Sequence, residues 1–323
     1  MTRILSLGEA LIDFVPQDSG VSLDKVSGFY KRFGGAPANV AVGLANLGAD
    51  VGFIGKVGQD SFGDFVEEKF KSEGVNVDHL YRTAEANTTL AFVSLTSAGD
   101  RDFIFYRDPG ADELLDPAEI DERYIGESDV LHFGSILLTN DRSRKATERA
   151  IEYAKDNGLV ITMDPNVRLN LWDDISRLKN LGLEFLRKAD IAKLSEEEVE
   201  FFTGESDLRS GTDEITRLGP ELVAVTLGPD GCLLNYGGEY RRIDGHEVDV
   251  KDTTGAGDGF MAGFLYKLFV LSDGLAETNI EQVADALEFG NATGALTTTD
   301  YGATSAFPDP ARVERFIADS KKA

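Results

Sequence analysis

Short apolar segments alternate with helix-length amphipathic segments along most of the 323 residues. This alternation is typical of βαβ units, in which crossover helices join parallel strands, and it predicts an α/β protein with a mainly parallel central sheet. Length alone leaves open whether the chain folds as one large domain or as two. The strands predicted for this sheet cover residues 4–7, 51–54, 130–133, 159–163, 191–194 and 222–226.

Proline and glycine residues mark the predicted helix ends. Pro37 as a first residue and Gly48 just past the last residue predict a helix between them. Asp116, followed by Pro117, predicts another helix start, because a side-chain oxygen there accepts from free backbone N–H groups. Gly158 predicts the end of a helix that begins near residue 142.

Two segments, residues 9–33 and about 88–110, interrupt the alternation. They contain strand-forming residues and turn signals, such as those at 97–100, without a helical pattern between the strands. We expect them to form a small separate sheet that covers a binding cleft as a lid. Because no repeat or linker-like tract divides the chain, we predict one domain, residues 1–323, that carries this lid.

The charge balance restricts the partners of the protein. Its 32 basic and 57 acidic residues give a net charge of −25, which repels nucleic acid and anionic membrane surfaces. Acidic helix faces that keep the protein soluble are the simpler explanation. The alternative is adaptation to high cytoplasmic salt, where a Debye length of about 3 Å at 1 M weakens self-repulsion.

The cysteine content and the hydropathy of the sequence indicate the cellular compartment of the protein. Cys232 is the single cysteine, so an internal disulfide is excluded and a cysteine metal site is disfavoured. No segment approaches the roughly 18 consecutive apolar residues that a spanning helix needs, and residues 1–5 are interpreted as a strand rather than a signal peptide. We therefore expect a cytoplasmic protein.

The chemistry is predicted at the segment 252–258, Asp-Thr-Thr-Gly-Ala-Gly-Asp, which precedes an apolar helical run. Small residues at a helix start leave backbone N–H groups accessible, and with the helix dipole they form an anion site. Asp258 in the first turn is a candidate base that takes the proton of a hydroxyl attacking a phosphoryl group. Alternatively, Gly255 and Gly257 only form a tight turn and Asp258 only stabilises the dipole.

The common nucleotide-binding motifs are absent from the sequence. No G-x-x-x-x-G-K-[ST] segment occurs, and residues 255–260 lack the third glycine of a dinucleotide fingerprint. A P-loop enzyme and a classical NAD enzyme are both disfavoured.

Residues 252–265 resemble the C-terminal signature of the PfkB (ribokinase-like) carbohydrate kinase family, and residues 34–41 resemble its N-terminal signature. Segments 103–112, 164–168 and 291–295 are most similar to fructokinases, although kinases of aminoimidazole riboside and 2-keto-3-deoxygluconate share parts of them. The resemblance implies a Rossmann-like three-layer α/β/α fold with a β lid. It also implies an ATP-dependent sugar kinase, most similar to those that convert fructose to fructose 6-phosphate.

The resemblance also implies roles for individual residues. For catalysis it implies Asp258 as the base, with the backbone at Gly255, Ala256 and Gly257 holding the phosphoryl group. For the sugar it implies Asp13, Gly34, Gly35, Asn39, Arg107 and Arg168. For ATP it implies Lys193, Thr226, Gly228, Gly231 and Asn291.

Several of these residues have simpler interpretations without the resemblance. Arg107 would be an exposed lid arginine, Lys193 a solvated lysine and Asn291 an exposed helix residue. Asp13 would be a strand-end carboxylate, Asn39 a first-turn helix residue, and residues 226–231 a β-turn.

The metal ions are expected to be Mg²⁺ with ATP and, in some relatives, K⁺. Residues 195–198, Ser-Glu-Glu-Glu, depart from the Asn-x-x-Glu that many relatives carry near magnesium, so Glu198 is a candidate for direct or water-mediated contact. The same pattern is also a helix capping box. For K⁺ the resemblance implies carbonyl groups near Asp252 and Thr254 and from residues 300–305.

Two rival functions remain open at this stage. One is a kinase for aminoimidazole riboside, ribose or 2-keto-3-deoxygluconate, and the other is a noncatalytic sugar or nucleotide sensor. Asp258 disfavours the sensor, which has no use for a base. Exposed edges of a lid sheet can pair between subunits, so a homodimer through the lid is expected.

Overall fold

The computed structural model describes residues 2–18, 20–95, 101–272, 274–275 and 278–322, without the side chains of residues 94, 95, 101 and 102. The turn predicted at residues 97–100 lies outside the described residues. The strands are β1 (Arg3–Leu7), β2 (Leu11–Pro16), β3 (Phe29–Gly34), β4 (Asp50–Gly58), β5 (Asn76–Thr83), β6 (Leu90–Leu95), β7 (Arg101–Tyr106), β8 (Val130–Phe133), β9 (Val160–Met163), β10 (Ile191–Ser195), β11 (Leu222–Thr226), β12 (Cys232–Tyr236) and β13 (Glu239–Ile243).

The helices lie mainly between the strands of the large sheet. The α-helices are α1 (Ala36–Leu47), α2 (Ser61–Ser72), α3 (Glu122–Gly126), α4 (Asp141–Asp156), α5 (Ile175–Leu186), α6 (Glu196–Thr203), α7 (Leu208–Leu218), α8 (Ala256–Leu265), α9 (Ile280–Thr297), α10 (Ala303–Ala306) and α11 (Pro310–Ser320). Short 3₁₀ turns cover Leu23–Lys25, Ala111–Leu114, Pro117–Glu119, Ile136–Thr139, Leu169–Leu171 and Gly228–Asp230, and Tyr266–Val270 is a π-helical turn.

The large sheet has nine strands in the order β13-β12-β11-β10-β9-β8-β1-β4-β5. From β11 to β5 neighbouring strands are parallel, while β12 and β13 are added antiparallel at one edge. The predicted α/β class and all six predicted strands are confirmed. The prediction missed β5, β12 and β13. Strands β5 and β13 are edge strands with many polar residues and therefore lack an apolar run.

Apolar side chains form a core on each face of this sheet. Along β1, Ile4 belongs to one core and Leu5 to the other, because successive strand side chains point to opposite faces. The first core includes residues of α1, α8 and α9, and the second includes residues of α4, α5 and α6. This confirms the three-layer α/β/α arrangement.

A second sheet of four strands, in the order β3-β2-β6-β7, is built from the two segments predicted as the lid. Strands β2 and β6 form a parallel pair at the centre of this sheet. Strand β3 pairs antiparallel with β2 at one edge, and β7 pairs antiparallel with β6 at the other. The division of the chain into one domain with a lid stays a prediction. No helix in the described part of the chain is long and apolar enough to span a membrane.

The predicted helix ends are correct to within a few residues. Helix α1 begins one residue before Pro37, so the proline occupies the second position, and Gly48 ends it with φ 95°. The start predicted at Asp116 produces only a single 3₁₀ turn, although its side chain accepts from Ala118 N at 2.9 Å. Gly158 follows α4 with φ 75°, as predicted.

Candidate active site

A cavity of about 260 Å³ lies where the carboxyl ends of parallel strands face the lid. In open α/β sheets ligands bind at this edge. Residues after β1, β8 and β9 and Lys193 of β10 contribute to its wall, together with the first turns of α1 and α8. On the lid side it is lined by Leu11 and Asp13 of β2 and by Phe103 and Phe105 of β7. The cavity therefore lies between the two sheets.

Asp258 lies in the first turn of α8, at the bottom of this cavity. Its side chain is buried, and its Oδ2 accepts a hydrogen bond from Asn39 Nδ2 at 2.8 Å. Burial raises the pKa of Asp258 to about 6 from an ordinary 3.8, although the hydrogen bond from Asn39 opposes this shift. Asn39 Oδ1 is buried without a partner in the described residues, so it can accept from a bound hydroxyl.

The loop before α8 turns sharply at Gly255. This residue has φ 77°, and a Cβ placed on it would be 2.4 Å from Ala303 Cβ, so only glycine fits. The first backbone N–H groups of a helix lack intrahelical partners. Gly257 keeps this surface open, because a Cβ there would lie 3.1 Å from Lys193 Nζ. The structure thus places accessible backbone N–H groups beside Asp258, and their role as an anion site stays a prediction.

Asp252 ties this loop to the segment that follows α9. Its Oδ1 accepts from Thr254 N at 2.9 Å and from Thr254 Oγ1 at 2.6 Å, while its Oδ2 accepts from Gly302 N at 2.9 Å. The two segments implied for K⁺, residues 252–254 and 300–305, are therefore neighbours.

Gly34 and Gly35 allow the main chain to pass close to two acidic residues. A Cβ at Gly34 would lie 2.3 Å from Asp13 Oδ2, and a Cβ at Gly35, which has φ 103°, would lie 2.4 Å from Glu9 O. Asp13, Gly35 and Asn39 line the cavity, whereas Gly34 lies behind Asp13.

Arg168 connects the main sheet to the lid. It follows β9, lines the cavity and donates from Nη1 to Val167 O at 3.1 Å. Its guanidinium carbon lies 5.4 Å from the centre of the Phe103 ring of β7, within the range of a cation–π contact. The sugar-side position implied for Arg168 agrees with this geometry.

Arg107 is not part of the cavity wall. Its side chain is only 3% exposed, and it pairs with Asp112, with Nη2 2.7 Å and Nε 2.8 Å from Oδ2. It also donates to Thr139 Oγ1 at 2.7 Å. The interpretation of Arg107 as an exposed lid arginine is wrong, because its guanidinium group is buried among these partners at the end of lid strand β7. Its direct contact with the sugar stays a prediction.

Lys193 forms a buried ion pair with Asp164, with Nζ 2.9 Å from Oδ2. Burial lowers the pKa of Lys193, but the negative charges of Asp164 and Glu198 more than offset this, and the pKa is raised overall. The interpretation as a solvated lysine is therefore wrong. Lys193 lines the cavity that also holds Asp13 and Asp258, rather than the second cavity described below.

Glu198 forms the predicted capping box of α6. Its Oε2 accepts from Ser195 N at 2.9 Å, and Ser195 Oγ accepts from Glu198 N at 3.2 Å. Its Oε1 accepts from Val167 N at 2.7 Å, and burial together with the charge of Asp164 raises its pKa. It lines a recess beside Arg168 and Lys193. Among the described residues no group of three or more His, Cys, Asp or Glu is arranged to hold a metal ion.

A second cavity of about 600 Å³ contains four of the residues predicted for ATP, which are Thr226, Gly228, Gly231 and Asn291. Gly231 has φ 89°, and a Cβ there would lie 2.1 Å from Ile243 O. Asn291 is buried and donates from Nδ2 to Asp244 O at 3.2 Å, so its interpretation as an exposed helix residue is wrong.

The two cavities meet at the start of α8. Thr253, Ala256 and Gly257 line both of them, and Asp258 lines only the first. A ligand in each cavity would therefore approach the other across the same backbone N–H groups. This is the arrangement that transfer of a phosphoryl group between two ligands needs.

The sequence model described as pfkB family carbohydrate kinase matches residues 1–310. The chain belongs to this family. It is 43% identical over 309 residues to a probable chloroplastic fructokinase-6 of Arabidopsis thaliana, covering 94% of this chain and 79% of that relative. This pfkB-family chain is therefore similar to plant fructokinases over most of its length.

Solved structures of pfkB-family kinases have the same fold. A double mutant of a Vibrio cholerae O395 fructokinase, solved with fructose, ADP and a potassium ion, is 34% identical with a TM-score of 0.88 over 98% of both chains. An aminoimidazole riboside kinase from Salmonella enterica, solved with aminoimidazole riboside and an ATP analogue, is 29% identical with a TM-score of 0.84 over 98% of this chain and 100% of that one.

The sequence prediction missed several residues of the two cavities. Glu9 lies two residues after β1, and this position after a strand end could have identified it. Phe103 and Phe105 could have been assigned to the cavity from their alternation with exposed Ile104 and Tyr106. The residues of segment 245–250 that line the second cavity could not be found from a strand end or from alternation, because this segment is irregular backbone.

Proposed function

We propose that this protein is a fructokinase, which transfers the terminal phosphoryl group of MgATP to the terminal hydroxyl of fructose and forms fructose 6-phosphate. The proposal rests on one observation, that the start of α8 is the common wall of two cavities and carries Asp258 on one side. The similarity to fructokinases supports fructose as the sugar.

In this mechanism Asp258 removes the proton of the attacking hydroxyl. With a pKa raised to about 6 it is mostly ionised at neutral pH, yet it is more basic than an ordinary aspartate. The hydrogen bond from Asn39 fixes which of its oxygens stays available. The amides of Gly255, Ala256 and Gly257 stabilise the negative charge on the phosphoryl group in transfer.

The sugar occupies the cavity between the sheets. Asp13 and Asn39 bind hydroxyl groups, Gly34 and Gly35 let the main chain approach, and Arg168 closes the side next to the lid. Arg107 lies outside the cavity wall, where it pairs with Asp112. Lid closure excludes water that would otherwise hydrolyse ATP.

The charges of this cavity favour a neutral sugar. Glu9, Asp13 and Asp258 contribute three carboxyl groups against the single guanidinium of Arg168, and the charge of Lys193 is already paired with Asp164. A sugar acid such as 2-keto-3-deoxygluconate would bring a further carboxylate beside them, which is unfavourable. Neutral ribose and aminoimidazole riboside remain alternatives.

ATP occupies the second cavity, with residues 226–231 and Asn291 beside the nucleoside and Lys193 near the phosphates. Mg²⁺ bound to the phosphates neutralises charge, and such an ion needs few protein ligands. Glu198 fits this ion only through the lone pairs that its two backbone hydrogen bonds leave, or through water. K⁺ fits between residues 252–254 and 300–305, which Asp252 holds together.

We further infer a homodimer that forms through the lid. Strands β3 and β7 are the edges of the four-stranded sheet, and they carry exposed Tyr30, Ile104 and Tyr106. Exposed edges and apolar side chains favour pairing with a second copy. Sedimentation of Tyr106→Glu tests this, and an unchanged dimer or a monomeric parent protein contradicts it.

A cytoplasmic location and salt adaptation complete the proposal. The unpaired, buried Cys232 suits a reducing compartment, and cell fractionation tests the location. The net charge of −25 suits high salt, while acidic faces that only keep the protein soluble remain the simpler explanation. A melting temperature that does not rise between low and molar KCl contradicts salt adaptation.

An ADP-release assay over a panel of sugars tests the function. We expect kcat/KM for fructose to exceed that for ribose, aminoimidazole riboside and 2-keto-3-deoxygluconate. A higher kcat/KM for another sugar would replace fructose as the proposed substrate and leave the proposed reaction unchanged. Absence of turnover with every sugar would favour the noncatalytic sensor.

A further inference from the structure

Glu9 is a buried carboxyl group to which the mechanism above gives no task. It follows β1, where the chain leaves the nine-stranded sheet for lid strand β2, and only 1% of its surface is exposed. Its Oε1 accepts a hydrogen bond from Ala36 N at 3.0 Å. Its Oε2 is buried and has no hydrogen-bond partner in the described part of the chain.

An unpartnered carboxylate oxygen in this position destabilises the ligand-free protein. Burial raises the pKa of Glu9 to about 7, and the charge of Asp112 adds to this, while backbone hydrogen bonds and Arg107 oppose it. The hydrogen bonds and positive charge around Glu9 therefore do not fully offset the cost of burying its negative charge. A buried polar group without a partner calls for one, and because Glu9 lines the cavity, a ligand group bound there can supply it.

The position of Glu9 relative to Asp258 indicates what this ligand group is. Glu9 is bonded to Ala36 and Asp258 to Asn39, and these two residues lie three apart on one face of α1. Their separation along the helix axis is about 4.5 Å. Glu9 and Asp258 both line the same cavity. Glu9 can therefore reach a sugar hydroxyl other than the one beside Asp258.

We propose that Glu9 is a specificity-determining residue whose Oε2 accepts a hydrogen bond from a hydroxyl of the bound sugar that is not phosphorylated. The inference rests on the proposed sugar kinase function and deepens it. It explains the presence of a destabilising carboxyl group between β1 and lid strand β2, since the bound sugar supplies the missing hydrogen-bond donor. It also predicts that this position discriminates against sugars that lack the hydroxyl.

Glu9→Gln is the decisive variant, because its amide oxygen can still accept from Ala36 N, whereas the NH₂ group that replaces Oε2 cannot accept from a hydroxyl. We expect both the KM and the calorimetric Kd for fructose to rise about tenfold or more. The KM for ATP should stay within about twofold. The melting temperature should stay the same or rise, because an uncompensated buried acid is removed.

Glu119→Gln is the matched control, since this glutamate lines neither cavity and both its oxygens are bonded. Its Oε1 lies 2.6 Å from Lys56 Nζ, and its Oε2 accepts from Asp116 N at 2.8 Å. We expect this variant to lose melting temperature and to keep the KM for fructose. A role of Glu9 in folding alone would make the two variants behave alike.

Deoxy analogues identify the hydroxyl. Calorimetry compares fructose with its 1-deoxy, 3-deoxy and 4-deoxy analogues and with 2,5-anhydromannitol on the parent protein and on Glu9→Gln. We expect one analogue to bind the parent about tenfold more weakly than fructose, yet to bind both proteins equally. The inference is overturned if Glu9→Gln leaves the Kd for fructose unchanged. It is also overturned if, for every analogue, the loss in binding free energy from Glu9→Gln adds to the loss from the missing hydroxyl.

This design separates the two proposals. Sugar phosphorylation by the parent protein together with an unaffected Glu9→Gln rejects the role of Glu9 and keeps the kinase. Sugar binding without phosphorylation rejects the kinase, and the calorimetric comparison still decides the role of Glu9. Absence of sugar binding overturns both.

Discussion

Asn39 donates a 2.8 Å hydrogen bond to Asp258 across 219 positions of the sequence. The donor lies in the first turn of α1 and the acceptor in the first turn of α8, and both helices pack in the same core. Both residues are buried. The two signature segments of the family therefore meet at one carboxyl group, whose position and basicity they set together.

Replacing Asp258 with asparagine should abolish most of the activity. Asparagine keeps the volume but cannot take a proton, so we expect kcat to fall by about 10²–10⁴-fold. The variant should fold and bind ATP, because the nucleotide cavity does not include this side chain. Kinetics and ATP titration check this. A kcat near that of the parent protein would mean that another group is the base.

The pH dependence should report the carboxyl group of Asp258. Because its pKa in the free protein is about 6, kcat/KM for the sugar should fall roughly tenfold per pH unit below that value. The raised pKa means that the folded state binds the proton more tightly, so this group makes stability fall as pH rises from about 4 to 6. Asp258→Asn should lack that part of the dependence of the melting temperature on pH.

Replacing Asn39 with alanine should shift the acidic limb of the rate profile to higher pH. The hydrogen bond from Asn39 lowers the pKa of Asp258, so its loss makes the carboxyl group harder to ionise. Asn235→Ala is the control, because Asn235 is also buried and hydrogen-bonded but lies on β12 outside both cavities. It should lower the melting temperature and leave the profile in place. Equal shifts in both variants would contradict the assignment.

Gly255→Ala should destabilise the protein and abolish transfer. Its positive φ and the contact at 2.4 Å with Ala303 predict a loss of about 3 kcal/mol or more in the free energy of unfolding. Gly158→Ala is the control, since Gly158 has a similar φ of 75° with no atom near its added Cβ. It should cost only about 1 kcal/mol and keep full activity. Denaturant unfolding and rate assays measure both, and equal losses would contradict the steric argument.

Potassium should accelerate the reaction. An ion bound beside residues 252–254 would stabilise the loop that presents the amides of α8, and the coupling typical of such effects is about fivefold or more. The measurement compares kcat in KCl and in NaCl at equal ionic strength. Identical rates in the two salts would remove the proposed site.

Much of the architecture follows from local sequence patterns. Apolar runs such as residues 130–133 and 222–226 are buried on both faces, so their strands could be predicted without any neighbour. Strands β5 and β13 could not, because an edge strand is stabilised by pairing and needs no continuous apolar run. The lid segments were identified by their lack of helices, although the order of their strands depends on long-range pairing.

The sequence by itself determined the α/β class, because apolar periods, helix starts and turns are local properties, and it indicated the start of α8 and Asp258 as candidates for the anion site and the base. Only the tertiary structure decided that Arg107 is paired with Asp112, that Lys193 is buried with Asp164, and that Glu9 lines the cavity with an unpartnered oxygen. The reason is physical. Pairing and burial of a charge depend on which distant segments the fold brings within about 3 Å, and no local pattern encodes that distance.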